Sequence, residues 1–237
     1  MKWGVGRQKT TVIRKQGVVV DLSGLREDVA KAVRHEEEHR TLAQIVERTI
    51  AKESPELDDD ARKARIAHVV GVLRAYVEAM PTVIEVSLAA AEREGVVEQM
   101  RPIFQTALSY VAEGVDFIPD SLGLAGLVDD AYLVHGLMQE ISHRQRSLTG
   151  KALLPDAYFV ETQRVRRMIG EPTATRLDVA VVAFARRQNV RETVEQIMER
   201  IGDRGIAMEL PSEVAFPSAA AGVEQLPDLN LGSLGDS

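Results

Sequence analysis

The chain has 237 residues, a formal net charge of −7, 45% apolar residues and no cysteine. That length suits one large domain or two small ones, and the apolar fraction excludes a wholly disordered chain. Without cysteine, the chain itself offers no disulfide, thiolate metal site or thiol nucleophile. The longest stretch free of Asp, Glu, Lys and Arg is 102–112, far short of the ~20 apolar residues of a spanning helix. No apolar run follows the basic start, so a signal peptide is not expected. A soluble, cytoplasmic protein follows as the expectation.

Charge is unevenly spread. Residues 1–20 carry five basic and no acidic groups, and residues 205–237 carry five acidic and no basic ones. The first stretch reads as a mobile basic arm, with a short hairpin around Arg14–Gly17 as its most ordered form. Such an arm touches the acidic body, or makes a peripheral contact with anionic lipid. Specific nucleic-acid binding is not expected, because the body is acidic and matches no reader module. The last stretch, 206–237, is rich in Pro, Ser, Gly and Ala and reads as an acidic flexible tail.

Between the ends the spacing predicts helices throughout. Leu25, Val29, Val33, Leu42, Ile45, Val46 and Ile50 share a helical face, with Asp21 or Ser23 as cap and a charged gap at 36–40. Ser54 and Pro55 predict the next start. Ile66, Val69, Val70, Leu73, Tyr76, Val77 and Met80 form the clearest stripe, which Pro81 is expected to end. Thr82 and Glu85 have capping-box spacing for a third helix, and Pro102 opens a fourth. A fifth helix is expected over about 129–146, and a sixth from Pro155 with Phe159, Val160, Val165 and Met168 inward. A further helix over 177–187 carries the apolar run 179–183 and reads as central. Asn189 and Glu192 suggest a capping box for the last. The expectation is an all-α, irregular multi-helix bundle of about eight helices with disordered termini. Its only plausible internal boundary, 147–154, separates a helical domain (21–149) from a C-terminal helical subdomain (150–205).

One segment is distinctive. It holds Asp116, Ile118, Pro119 and Asp120, then a Gly-containing apolar stretch with Gly126, then Asp129 and Asp130. Ile118 precedes Pro119 and is pushed out of helical geometry, so a break falls there. Short carboxylates flanking a break can accept from the free N–H groups that open a helix, and negative charge suits the first turn of the fifth helix. On this reading the motif is a capped turn. An alternative reading folds the four aspartates together as an oxygen site for Mg²⁺ or Ca²⁺. In order and spacing the segment resembles the YkvA-like domain, a bacterial family of unknown function, over about 102–141. That resemblance implies a helical hairpin-like unit and no particular reaction.

His35-Glu36-Glu37-Glu38-His39 formally matches H-E-x-x-H, in which two histidines bind zinc and the glutamate acts as base. The charged middle positions and the lack of an evident third ligand argue for a solvated helix face instead. His135 and His143 lie two turns apart on the fifth helix, and Arg164, Arg166, Arg167, Arg186 and Arg187 read as solvated basic spots. The leading expectation is a non-enzymatic interaction or adaptor protein with a protein partner and no cofactor. A divalent-metal protein using the aspartates is second, and a zinc hydrolase at His35, Glu36 and His39 third.

Overall fold

The computed structural model describes residues 20–113, 117–211 and 226–235, and the basic arm apart from Val20 lies outside them. Among the described residues there are eight α-helices and no strand: α1 Ser23–His39, α2 Thr41–Glu53, α3 Asp59–Arg93, α4 Val97–Glu113, α5 Val128–Thr149, α6 Asp156–Ile169, α7 Thr173–Arg187 and α8 Val190–Ile201. The all-α expectation holds.

The expected first helix is two. Arg40 sits in the left-handed region at φ 54° and turns the chain from α1 into α2. The stripe then continues, with Leu42, Val46 and Ile50 fully buried. α3 starts from Asp58, whose side chain accepts from the Ala61 N–H at 2.8 Å, and not from the Ser54–Pro55 pair.

Pro81 does not end its helix. α3 runs through it for 35 residues. A proline inside a helix costs ~3 kcal/mol or more through a lost hydrogen bond and a ring clash. Burial on both sides outweighs that cost, since Val77, Met80, Val83 and Ile84 are all at 0% exposure. The end comes at Gly95, at φ +71°, where the Val96 N–H donates to Ala91 O at 2.8 Å and closes the last turn. The expected third helix is therefore the second half of α3, and α4 begins at Val97, ahead of Pro102.

α5 is the central element and packs against α3, α4, α6, α7 and α8. Gly136 permits its approach to α7, for a Cβ there would lie 2.7 Å from Val181 Cγ2. The expected boundary at 147–154 is a joint inside one continuous apolar core that runs from Leu25 to Leu231. Within it the Ser142 hydroxyl accepts from the N–H groups of Leu153 and Leu154, each at 3.1 Å.

Two inward expectations fail at the surface. Val160 is 48% exposed, and the run on α7 is only half buried: Leu177 and Val181 face the core while Val179 (64%) and Val182 (40%) face outward. A run apolar on every side carries no period, so the sequence could not say which face was buried. Asn189 opens α8 from the left-handed region, at φ 49°, and its side chain makes no capping bond.

The tail departs from a uniformly loose one. Met208 donates its N–H to Leu153 O at 3.3 Å. The Gln145 amide brackets Ile206, accepting from its N–H at 2.9 Å and donating to its carbonyl at 2.8 Å. Leu229 and Leu231 are buried further on.

Candidate functional site

The Asp–Pro segment is the joint between α4 and α5. Asp116 lies outside the described residues. Pro119 and Asp120 open a tight 3-10 turn, Asp120–Leu122, in which Leu122 N donates to Pro119 O at 2.9 Å and Gly123 N to Asp120 O at 3.0 Å. The chain then folds back on itself. A Cβ on Gly126 would lie 2.7 Å from Pro119 O and 2.8 Å from Asp120 Cα. Those are backbone atoms that cannot rotate away, so the crossing requires glycine.

Asp129 locks this crossing. It is buried in the first turn of α5. One carboxylate oxygen, Oδ2, accepts from the N–H of Phe117 at 2.8 Å and of Ile118 at 3.0 Å. The other, Oδ1, accepts from Asp130 N–H at 3.1 Å. The side chain thus reaches backward across the joint as well as serving its own helix start. Burial pushes the Asp129 carboxyl up to about 6, against the pull of the Ile118, Phe117 and Asp130 N–H groups. Asp130 follows in the same first turn, half-buried, and Asp120 is exposed at the start of its 3-10 turn. Among the described residues no group of three or more His, Asp or Glu side chains is arranged to hold a metal ion.

The H-E-x-x-H segment is a joint at Glu36, which corrects the solvated-face reading there, while Glu37, Glu38 and His39 are exposed as that reading expects. Glu36 is buried and accepts from the N–H groups of Leu42 at 2.7 Å and Ala43 at 3.0 Å. Its carboxylate therefore caps α2 from the preceding helix, at the end where a negative charge is favoured. His35 and His39 stack at 4.4 Å between ring centroids. His35 Nε2 lies 3.3 Å from Thr41 Oγ1, and His39 Nδ1 lies 3.1 Å from the His35 carbonyl. A base for zinc chemistry needs a free oxygen facing the metal-bound water, whereas both oxygens of Glu36 hold backbone amides. The two motifs meet: the His35 ring lies where a Cβ on Gly123 would stand, 2.4 Å from that position, and Gly123 sits at φ +61°.

A third polar group lies deeper. His135, on α5, is fully buried. Its Nε2 is 2.9 Å from the Tyr76 carbonyl, which can only accept, so Nε2 carries the proton and Nδ1 accepts from the Tyr158 hydroxyl. Burial pulls the imidazole down to about 4. Nearby, Tyr76 donates to Thr162 at 3.4 Å. On α6, Glu161 is buried against Arg164 at 3.3 Å, with Oε1 making no hydrogen bond, and burial raises its carboxyl. Glu161 was missed in the sequence, although its place beside Tyr158 and Val165 on the inward register was the available signal.

One basic spot, Arg166, proves to be a tie from α6 to α7, while Arg167, Arg186 and Arg187 are exposed as expected. Arg166 bridges Glu171 at 2.9 Å and Asp178 at 2.8 Å, and Asp178 also accepts from the Tyr132 hydroxyl at 2.6 Å. His143 packs on Phe159 at 5.2 Å.

What the fold and these joints define is an all-α protein in which the motif carboxylates Asp129 and Glu36 hold backbone amides. Against known proteins the chain matches no family model, no curated protein and no solved structure. No described helix is long and apolar enough to cross a membrane.

Proposed function

We propose that this chain is a non-enzymatic helical interaction or adaptor protein, built around a YkvA-like unit and working in the cytoplasm with a protein partner. One observation carries the reading: both oxygens of Asp129 are occupied by three backbone N–H groups. The residue best placed in the motif to do chemistry is thereby spent on holding the α4–α5 joint. Glu36 is spent in the same way on α2. The exposed Val179 and Val182 supply apolar surface of the kind a partner covers.

Calorimetric titration of chelator-treated protein with Mg²⁺, Ca²⁺ and Zn²⁺ tests this. No saturable binding at micromolar concentrations is expected. Stoichiometric binding abolished by Asp120→Asn or Asp130→Asn would replace the adaptor with a metal protein. Binding abolished by His35→Ala would do so in favour of the zinc site. The positive arm is co-purification of a stoichiometric protein partner that is lost on Val179→Glu.

A further inference from the structure

The described part of the tail ends in a seated peptide. Residues 226–235 read Leu-Pro-Asp-Leu-Asn-Leu-Gly-Ser-Leu-Gly. Leu229 and Leu231 are buried while Asp228 and Asn230, between and before them, are exposed. The stretch lies along the surface to Leu229, turns at Asn230 (φ 45°) and closes in a 3-10 turn over Leu231–Gly235. The surface is the corner between α6 and α7. Leu229 N–H donates to Met168 O at 2.9 Å, the one backbone hydrogen bond among the described residues between this stretch and the body.

Further hydrogen bonds lie within the stretch. Asp228 Oδ1 accepts from Asn230 N–H at 2.9 Å, and Asn230 O accepts from the Ser233 N–H at 3.1 Å and hydroxyl at 2.9 Å. The stretch thus carries its own turn.

Shape is matched on both sides by glycine. On the body, Gly170, at φ +81°, lies under the peptide: a Cβ there would sit 2.0 Å from Asp228 Oδ1 and 3.1 Å from Asn230 Cα. On the peptide, a Cβ at Gly232 would sit 1.9 Å from Thr173 Oγ1 and 2.8 Å from Thr173 Cβ. Rotating Thr173 cannot relieve a clash with its own Cβ. Each partner lacks a side chain where the other comes closest, which is how a docking groove and its ligand are built.

We infer that the α6–α7 corner is a peptide-docking groove, held closed in cis by residues 226–235. In trans it takes a partner segment of the same chemistry and turn: leucines two apart, an aspartate before the first and a glycine after the second. This deepens the interaction reading above and rests on it for its biological use, but the binding itself is measurable without any partner. The seated stretch belongs to the same chain as the groove, so it competes with any outside peptide at an effective concentration on the order of 1 mM. For an intrinsic dissociation constant on the order of 0.1 mM, the groove is about nine-tenths closed, and an outside peptide binds about ten-fold more weakly than it would to an open groove.

The test uses the full chain and a fluorescently labelled peptide of residues 226–235, followed by anisotropy. Gly232→Val in the chain expels its own segment, so the variant is expected to bind the wild-type peptide about ten-fold more tightly than the wild-type chain does. A labelled peptide carrying the same change is expected to bind neither. A second arm cleaves the full chain at a protease site introduced within 212–225. The released segment is expected to dissociate on gel filtration while the body keeps its helical circular dichroism. Equal binding by the two chains, equal binding of the two peptides, or a body that unfolds when the segment leaves would each overturn the groove. Those results leave the adaptor reading standing. A metal titration that overturned the adaptor would in turn leave peptide binding unaffected.

Discussion

Replacing Asp129 by alanine strips the acceptor from Phe117, Ile118 and Asp130 N–H groups. Ile118 is at 0% exposure and Phe117 is half-buried, so water cannot readily take over. Each buried donor left unmade costs about 1–3 kcal/mol. Part of that is returned at neutral pH, because a carboxylate with its pKa raised to about 6 is held ionised at a cost. The net expectation at pH 7.5 is a loss of about 2–4 kcal/mol, or roughly 4–16 °C in Tm for a chain of this size. The pH dependence has a definite sign. The folded pKa lies above the ordinary carboxylate value of 3.8, so the folded state binds the extra proton and wild-type stability from this group falls as pH rises from about 4 to 6. At pH 5 the wild-type group therefore contributes about 1 kcal/mol more than at pH 7.5, and Asp129→Ala costs that much more there. Urea unfolding of both chains at the two pH values, with chelator and again with Mg²⁺ or Ca²⁺, reads all of this. A loss below about 1 kcal/mol, or a cation that stabilises the wild type by several degrees and leaves the variant untouched, would refute the architectural role.

Four further outcomes follow from other positions. Glu36→Ala leaves the Leu42 and Ala43 N–H groups without their acceptor and is expected to cost about 2–4 kcal/mol in denaturant unfolding, with no recovery on adding Zn²⁺. His135→Gln keeps a donor for the Tyr76 carbonyl and an acceptor for Tyr158 while removing the titration. The folded imidazole is pulled down to about 4, so wild-type stability is present above pH 6.5 and falls by about 2 kcal/mol between pH 7.5 and 5. The variant should lack that fall, and parallel pH curves for the two chains would deny it. Gly136→Ala is expected to destabilise by forcing Val181 aside and to be rescued by Val181→Ala. Gly71→Ala, in the open on α3 with nothing within 4 Å, is expected to stabilise by up to about 1 kcal/mol in thermal melts.

The sequence showed the elements more clearly than their ends or their facing. Stripes such as Ile66–Val69–Leu73–Val77 announce themselves because one helix face repeats every 3.6 residues. Pro81 misled because a proline's cost is local, whereas the burial that outweighs it comes from helices distant in sequence. Val160 and Val179 misled because an apolar residue outside a clear period says nothing about facing. The seated stretch 226–235 was illegible for a related reason. Its short leucine alternation is too brief to raise a period above a Pro- and Gly-rich background, and its complement, Gly170 and Thr173, lies some sixty residues upstream in the chain.

The two chemical-looking motifs were legible as residues and not as roles. A carboxylate meant for a metal and one meant for a backbone amide are the same side chain, and only the atoms facing it decide between them. At Asp129 those atoms are amides from the far side of a crossing that Gly126 alone makes close enough. At Glu36 they are the first amides of the next helix. The His35 ring then rests on Gly123, so the end of α1, the start of α2 and the turn before α5 meet at one place. A loosened Asp129 should consequently be felt across this contact, at the α1–α2 corner, before it is felt at α8. Hydrogen exchange on Asp129→Ala should show faster exchange at Leu42 and Ala43 than in the wild type while α8 amides keep their protection. Uniform loss of protection over the whole chain would mean that the joint is not a local element at all.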